Sequence, residues 1–331
     1  MDLPRITIFS LGGTIASTPT TEGRPAKIEL DAESLLAAIP EAKTIASVKA
    51  ETLLQIGSVD LGFQDMIELA ARIRSEVVNG AQGIVVTQGT DTLEETAFLL
   101  DRLVGVEAPV VVTGAMRHSE RQGADGPANL ICAIRVAASP SAKECGVLVV
   151  LNDEIHLARF VFKSHAVSTA AFQSFPFGPI GNVAEGRVRI PLKLTRKQRV
   201  FDLSLDTVVP QVALMPMIFD GSVDPFEHVL NGVYGGAVIQ AFGAGHASSH
   251  LLKSIARIAQ AMPTIYSSGT VAGETHIESC DFPGSELRMI ERGLIPAYGL
   301  SGRKARLLLT LLLAQGAERR EIEDEFARSS S

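Results

Sequence analysis

The residues best suited to chemistry stand in TQGTDTLEET, residues 87–96, where two threonines and an aspartate crowd one short turn. The apolar run GIVV precedes this turn and AFLLDRL follows it, a pattern that predicts a strand, a turn and a helix. A helix start uses one capping side chain, and this turn offers several. Thr90 and Asp91, beside Gly89, are therefore candidates for catalysis or ligand binding.

Helix capping is the competing explanation for part of the same turn. Thr92 with Glu95, or Asp91 with Glu94, has the spacing of a capping box, in which two side chains bond each other's backbone N–H groups. Either box accounts for only one hydroxyl or carboxylate of the turn. Capping therefore does not account for both Thr90 and Asp91 beside Gly89.

A second candidate turn, GGTIAS, follows the first apolar run, RITIFSL. Gly12 and Gly13 need no Cβ clearance, so the backbone can bring the hydroxyl of Thr14 close to a ligand. The alternative is that the glycines only make a tight turn and that Thr14 caps the segment after it. In open α/β sheets, ligands bind beyond the carboxyl ends of the strands, where both turns are expected.

A threonine hydroxyl is a weak nucleophile and needs a base to take its proton. None of the seven histidines lies in a GxSxG motif or another serine-hydrolase setting. Lys163, in the apolar and hydroxyl-rich stretch ARFVFKSHAVST, is a candidate proton acceptor if a carboxylate lies beside it. The alternative for an isolated lysine is a side chain that reaches solvent.

Two further motifs fall short of a known type of site. The turn GAGHAS lacks the third glycine of a dinucleotide-binding loop, so we expect no NAD site. His246 and His250 lie four residues apart, and HIESC offers His276, Glu278 and Cys280, but HExxH and paired CxxC motifs are missing from the sequence. We therefore expect no metal site.

Alternation of strands and helices provides the frame for these turns. Apolar β-rich runs, typical of buried parallel strands, occupy residues 5–11, 83–87, 109–114, 146–152, 236–242 and 263–268. Helical periodicity marks residues 65–78, 92–104, 127–138, 250–262 and 304–315. Asp125, Gly126 and Pro127 indicate the start of the third of these helices. This alternation predicts a doubly wound α/β sheet.

The alternation breaks at residues 176–212, which are rich in Pro, Gly and charge. We predict a larger N-terminal α/β domain at residues 1–190, a linker at 191–211, and a smaller C-terminal α/β domain with a parallel sheet at 212–331. The stretch STPTTEGRPAK, residues 17–27, is expected to be a mobile loop and a candidate lid.

Bulk properties exclude several classes of partner. The 331 residues carry a formal net charge of −7 without an acidic tail or basic block, which disfavours nucleic acid and favours a small neutral or zwitterionic ligand. No apolar run approaches the roughly 20 residues that span a bilayer. The first residues lack a secretory-signal pattern, so we expect a soluble cytoplasmic protein. The three widely spaced cysteines are expected to be reduced packing residues.

Taken together, these turns and their neighbours resemble the bacterial-type L-asparaginases. The motifs that carry the resemblance are SLGGTIAS, VVTQGTDTLEETAFLL, PVVVTGAMR with ADGPANL, FKSHAVSTAAFQSFPFGPIG and KARLLLTLLLA. They cover nearly the whole chain. The resemblance implies two α/β domains, a homotetramer of intimate dimers, and no metal or organic cofactor. It also implies hydrolysis of the side-chain amide of L-asparagine to L-aspartate and ammonia.

The resemblance further implies roles for individual residues. Thr14 matches the nucleophile that forms an acyl-enzyme, and Thr90, Asp91 and Lys163 match the second catalytic group. Asp91 would also pair with the substrate α-ammonium, while Ser58 in IGSVD would grip its carboxylate. The substrate-binding positions implied in this way are Gly13, Gly57, Ser58, Val59, Gly89, Ala115 through its backbone, His246 and Glu286.

Departures from the family pattern leave the substrate open. Val59 stands where many relatives have a glutamine that helps to bind the α-amino group, and residues 17–27 contain no tyrosine. His246 and Glu286 stand where the family donates an asparagine and a glutamate from the neighbouring subunit. A glutaminase-asparaginase of broader specificity and a non-catalytic amino-acid sensor are therefore alternatives. An ammonia-supplying amidotransferase subunit is another, although that relative carries an added N-terminal domain.

Overall fold

The computed structural model describes residues 2–19, 26–194 and 199–329, and the chain divides into two units, Met1–Leu205 and Asp206–Ser331. The strands of the first unit are β1 (Arg5–Gly12), β2 (Ser17–Pro19), β3 (Ala26–Ile28), β4 (Ser47–Ile56), β5 (Gly83–Thr87), β6 (Val110–Thr113), β7 (Val147–Leu151), β8 (Glu154–Leu157), β9 (Phe162–Lys163), β10 (Phe172–Gln173), β11 (Gly181–Ala184) and β12 (Arg187–Arg189). Its helices are α1 (Ala32–Ala37), α2 (Ala42–Ile45), α3 (Phe63–Val78), α4 (Leu93–Leu103) and α5 (Gly126–Ala137). The second unit contains the strands β13 (Val212–Pro216), β14 (Gly236–Ala241), β15 (Thr264–Ser268) and β16 (Ile295–Pro296), and the helices α6 (Asp224–Leu230), α7 (Leu252–Ala261), α8 (Glu286–Glu291), α9 (Gly302–Ala314) and α10 (Arg319–Arg328).

An eight-stranded mixed sheet organises the first unit, in the order β12-β11-β8-β7-β6-β5-β1-β4. The strands from β7 to β4 run parallel, whereas β8, β11 and β12 pair antiparallel at the other end. The strands β5 and β7 are buried throughout, which explains their uninterrupted apolar sequences. The edge strand β12 is largely exposed.

Helices cover both faces of this sheet. Ile8, Val85 and Val111 pack on one face with Leu130 and Ile134 of α5. Because side chains alternate along a strand, the intervening residues face the opposite side. There α3 and α4 pack against each other, and α4 lies against β6 and β7. The predicted doubly wound arrangement is confirmed.

The register brings the carboxyl ends of the central strands to one level. Ser10 of β1 pairs with Thr87 of β5, and Thr87 pairs with Thr113 of β6. The strand β1 has β5 on one side and β4 on the other, so the direction of winding reverses at β1. Ligands bind in the crevice at such a switch point. The turns after β1, β4 and β5 all open there.

A four-stranded parallel sheet organises the second unit, in the order β13-β14-β15-β16. Ile255 and Ile258 of α7 pack with Ile239 and Tyr266 on one face. Helix α9 lies against β13, β14 and β15. The smaller parallel sheet predicted for the C-terminal part of the chain is confirmed.

All six predicted strands form, and all five helical stretches form helices within two residues of their predicted bounds. None of the helices in the described part of the chain is long and apolar enough to cross a membrane. In the predicted lid, β2 pairs antiparallel with β3, and residues 20–25 lie outside the described residues. The mobility of the lid and the linker at 191–211 stay predictions.

Candidate active site

Two of the candidate turns pack backbone against backbone at the switch point. A Cβ atom added to Gly13 would lie 2.1 Å from the backbone nitrogen of Gly89, and Gly13 has φ +81°. A Cβ atom added to Gly89 would lie 2.8 Å from Oγ of Ser58. No side chain fits at Gly13, so glycine is required there, and a side chain at Gly89 would displace the hydroxyl of Ser58. The contact makes Thr14 and Thr90, which directly follow the two glycines, residues of adjoining turns.

Lys163 joins two of the other candidates. Its Nζ donates hydrogen bonds to Oγ1 of Thr90 at 2.8 Å and to Oδ1 of Asp91 at 2.7 Å. The lysine side chain is 17% exposed, whereas that of Asp91 is 65% exposed. The lysine therefore does not extend into solvent, which was the alternative interpretation of the sequence. Its Nζ contacts a hydroxyl and a carboxylate at the same time.

Glu94 holds the lysine backbone in place and was missed by the sequence reasoning as a site residue. The buried carboxylate of Glu94 accepts a hydrogen bond from the backbone N–H of Lys163 at 2.7 Å through Oε2. Lys163 also pairs with Phe172 in the β9–β10 hairpin. No local signal was available, because Glu94 and Lys163 are 69 positions apart in the sequence.

Side-chain capping, the alternative explanation for this turn, does not occur at the start of α4. Helix α4 has Thr92 at its N-cap position but no side-chain cap hydrogen bond. Instead, Oγ1 of Thr92 donates to the backbone carbonyl of Ser58 at 2.8 Å, and Asp91 contacts Lys163. A long-range contact has replaced the local one, because the turn after β4 supplies an acceptor within reach of the hydroxyl. The buried Ser58 is thereby tied to the turn that carries Thr90.

Ala115 lies in a loop that is fixed by side chains of α5. Asp125 accepts hydrogen bonds from the backbone N–H groups of Met116 and Arg117, both at 2.9 Å. Nδ2 of Asn129 donates to the carbonyl of Gly114 at 2.9 Å. Helix α5 begins at Gly126 with proline in its first turn, as predicted, but Asp125 stabilises the loop rather than capping the helix. The backbone around buried Ala115 is therefore rigidly placed.

The remaining predicted residues lie in two different settings. Gly57 and Val59 flank Ser58 at the start of a 3-10 turn, and the Val59 side chain is 66% exposed.

His246 and Glu286 lie together in the second unit, with Nε2 of the histidine 3.2 Å from Oε2 of the glutamate. Burial raises the pKa of the Glu286 carboxyl, but backbone N–H donors, chiefly that of Cys280, and the nearby His246 outweigh burial and hold the pKa below its usual value.

Two family models match the chain. The model described as "Asparaginase, N-terminal" matches residues 5–196, and the "Glutaminase/Asparaginase C-terminal domain" matches residues 211–326. This protein belongs to the asparaginase family. The recognition made from the sequence motifs is therefore confirmed, and membership implies an amidohydrolase.

Relatives of this asparaginase-family chain match it along nearly its whole length. "L-asparaginase 2" of Escherichia coli is 32% identical over 98% of this chain and 93% of the relative. "Glutaminase-asparaginase" of Pseudomonas fluorescens is 32% identical over 98% of this chain and 90% of the relative. A crystal structure of a "Probable Cytoplasmic L-asparaginase" from Campylobacter jejuni superposes with a TM-score of 0.88 at 31% identity, covering 98% of this chain and 99% of the other.

Proposed function

We propose that this asparaginase-family protein is an L-asparaginase that hydrolyses the side-chain amide of L-asparagine through a threonine nucleophile. The contact of Lys163 Nζ with both Thr90 Oγ1 and Asp91 Oδ1 carries the proposal. That arrangement stands beside the Gly13–Gly89 contact, which brings the turn of Thr14 against the turn of Thr90. An amide hydrolase needs a hydroxyl, a proton acceptor and fixed N–H donors in one place.

The reaction proceeds in two halves. The Thr14 hydroxyl attacks the carboxamide carbon, and its proton passes through the Thr90 hydroxyl to the amine of Lys163, which acts as the base in its neutral form, while backbone N–H groups of the glycine-containing turns stabilise the oxyanion. The C–N bond breaks as the nitrogen takes that proton back from Lys163, and ammonia leaves an acyl-enzyme ester on Thr14. Water then attacks the ester, which releases aspartate and restores the Thr14 hydroxyl.

Substrate recognition uses the charges at the two ends of the amino acid. Asp91 is well exposed and contacts Lys163 through Oδ1, so its carboxylate can also face an α-ammonium group. Ser58 and Gly57 bind the α-carboxylate, and the backbone of Ala115 binds the side-chain amide. In the proposed homotetramer, His246 and Glu286 of a neighbouring subunit complete the α-amino site. Val59 contributes only apolar contact.

The names of the relatives point to two substrates, asparagine and glutamine. One relative named glutaminase-asparaginase and one named L-asparaginase 2 are equally identical to this chain, at 32%. A broader glutaminase-asparaginase is therefore the second candidate function. The ratio of kcat/KM for L-asparagine and L-glutamine distinguishes the two, because discrimination resides in that ratio. A ratio near one would replace the first proposal with the second.

Ammonia release from L-asparagine by the purified protein tests the catalytic proposal. Thr14→Ala should abolish turnover and acyl-enzyme formation. Thr90→Val should slow both but leave the nucleophile in place. A protein that binds asparagine without releasing ammonia would be a sensor instead, and acyl-enzyme formation by Thr14→Ala would assign the nucleophile elsewhere.

We further propose a homotetramer in the cytoplasm. The family resemblance supports the tetramer, and the printed name of the Campylobacter jejuni neighbour supports the compartment. A Haemophilus influenzae relative at 33% identity is named as a probable periplasmic L-asparaginase, so the compartment needs its own test. Light scattering should give four times the protomer mass. Fractionation of the source cells should recover the activity with cytoplasmic markers.

A further inference from the structure

His246, Cys280 and Glu286 form a cluster, here called the His–Cys–Glu cluster, in the second unit. One potential ligand atom from each residue lies within 4.8 Å of the other two. The sequence analysis predicts no metal site, because HExxH and paired CxxC motifs are missing, and it does not bring these three residues together. We propose that the His–Cys–Glu cluster binds a divalent transition-metal ion of the Zn²⁺ type.

The distances suit a tetrahedral ion. Zinc lies about 2.0–2.1 Å from nitrogen, about 2.0–2.2 Å from oxygen and about 2.3 Å from sulfur, so its ligand atoms stand roughly 3.3–3.6 Å apart. Nε2 of His246 and Oε2 of Glu286 are already 3.2 Å apart. Sγ of Cys280 lies within 4.8 Å of both atoms and would have to move closer to them to take the third position.

Glu286 is preorganised as a ligand. Its side chain is 0% exposed, and its Oε1 accepts hydrogen bonds from the backbone N–H groups of Ser279 and Cys280 at 2.8 and 2.6 Å. Ligating carboxylates in metal sites are typically hydrogen-bonded in this way through their outer oxygen. The pattern leaves Oε2 as the atom that faces the cluster.

Two buried atoms of the cluster lack a hydrogen-bond partner within the described residues. They are Oε2 of Glu286 and Nε2 of His246, which lie at ion-pair distance from each other, 3.2 Å, but make no hydrogen bond. Buried polar atoms without partners are rare and call for an explanation. A cation between them satisfies both atoms at once.

The histidine is presented by a rigid turn. Phe242 and His246 exchange backbone hydrogen bonds of 2.8 Å in both directions. Gly245, at φ +123°, allows this turn to close against the ring of Tyr266, since an added Cβ would lie 2.8 Å from a ring carbon. The Phe282 ring meets the His246 ring edge-on, with centroids 5.1 Å apart. Metal sites need ligands whose positions are held in this manner.

The ligand types select the ion. Thiolate and imidazole favour zinc-like ions, whereas Mg²⁺ and Ca²⁺ prefer sites made of oxygen atoms. Three protein ligands leave a fourth position for water or a small ligand. This pattern differs from a closed structural zinc site with four protein ligands.

Cobalt absorption tests the proposal on the full-length protein without reference to its activity. Co²⁺ added to metal-free protein should bind once per protomer and give a thiolate-to-cobalt charge-transfer band, which Zn²⁺ should abolish by displacement. Cys280→Ser should lose the band and weaken Co²⁺ binding at least about 100-fold, the upper end of what loss of an outer-sphere partner costs. His246→Asn should weaken binding similarly, which provides a second variant.

Cys145→Ser is the matched control, because Cys145 is also half-buried but contacts the carbonyl of Ser141. It should keep the band. Absence of a band in the wild-type protein, or a band that persists in Cys280→Ser, would overturn the proposal. Circular dichroism of each variant checks folding.

One consequence rests on the proposed function. A bound ion engages His246 and Glu286, which are proposed to bind the substrate, so Zn²⁺ should inhibit ammonia release from the wild-type protein but not from Cys280→Ser. If the protein releases no ammonia while the cobalt band appears, the catalytic proposal fails and the metal site stands.

Discussion

Nζ of Lys163 lies 2.8 Å from Oγ1 of Thr90, although the two residues are 73 positions apart. The contact couples a hydroxyl from the turn after β5 to an amine from the β9–β10 hairpin. Such a pair can accept a proton from a nearby nucleophile, which neither residue does well alone.

The lysine amine should be needed for turnover but not for folding. Lys163→Met preserves the length of the side chain and removes the amine, so kcat for ammonia release should fall by about 10²–10⁴-fold. Lys193→Met, at an exposed lysine that contacts only a backbone carbonyl in the described residues, is the control and should keep wild-type kcat. Equal losses in the two variants would contradict a specific role for Lys163.

Thr92 should act through its bond to Ser58 rather than as a helix cap. Thr92→Val leaves the Ser58 carbonyl without this donor, which should lower the free energy of unfolding by about 1 kcal/mol and raise KM. Thr92→Ser keeps the hydroxyl and should restore both values. Asparagine is a preferred N-cap residue. Wild-type KM and stability in Thr92→Asn would therefore show that Thr92 acts as a helix cap.

Gly13 should tolerate no side chain, for two reasons: backbone strain at its positive φ and a clash with the Gly89 backbone. Gly178 has the first feature without the second, so it separates them. Gly13 and Gly178 have similar φ values of +81° and +78°. A Cβ atom added to Gly13 would lie 2.1 Å from the Gly89 backbone, whereas a Cβ atom added to Gly178 would meet nothing within 4 Å. Gly178→Ala should cost about 1–2 kcal/mol of stability from backbone strain alone. Gly13→Ala should cost roughly 3 kcal/mol or more and abolish activity. Similar melting temperatures for the two variants would contradict the close packing of the turns.

His156 should make stability depend on pH. Burial lowers the pKa of His156 from 6.5 to about 4, so the unfolded chain binds its proton more readily than the folded one. Its contribution to stability is complete above pH 6.5 and is lost as the pH falls from 6.5 to about 4, with a slope of at most about 1.4 kcal/mol per pH unit. Denaturant unfolding across this range should show wild-type stability falling more steeply than that of His156→Gln.

His228→Gln, at an exposed histidine, is the control and should keep the wild-type slope. Burial also raises the pKa of neighbouring Glu154. Protonation of Glu154 therefore favours the folded state as the pH falls toward 4.5, which opposes the loss of stability caused by His156. The difference between wild type and His156→Gln isolates the histidine. Parallel curves for these two proteins would contradict its burial as a neutral group.

Elements with strong local patterns were predictable. The strands β1, β5, β6 and β7 have apolar runs because both of their faces are buried, and the helices α3 and α5 have the 3.6-residue period of a one-sided core contact. The edge strand β4 was missed, since its sequence SVKAETLLQI places Lys49 and Glu51 among the apolar residues of a half-exposed strand. Short strands such as β9 and β16 carry too few residues to show any period.

The sequence by itself determined the alternation of strands and helices, the family, and the turns that hold Thr14, Thr90 and Asp91, because these depend on residue types within a few positions of one another. Only the tertiary structure decided which distant residues meet. The bond from Thr92 to Ser58 replaced a capping box, Glu94 took the N–H of Lys163, and Cys280 came to face His246 and Glu286. Strand order and register set those distances, and they follow from the packing of the whole core rather than from any local pattern.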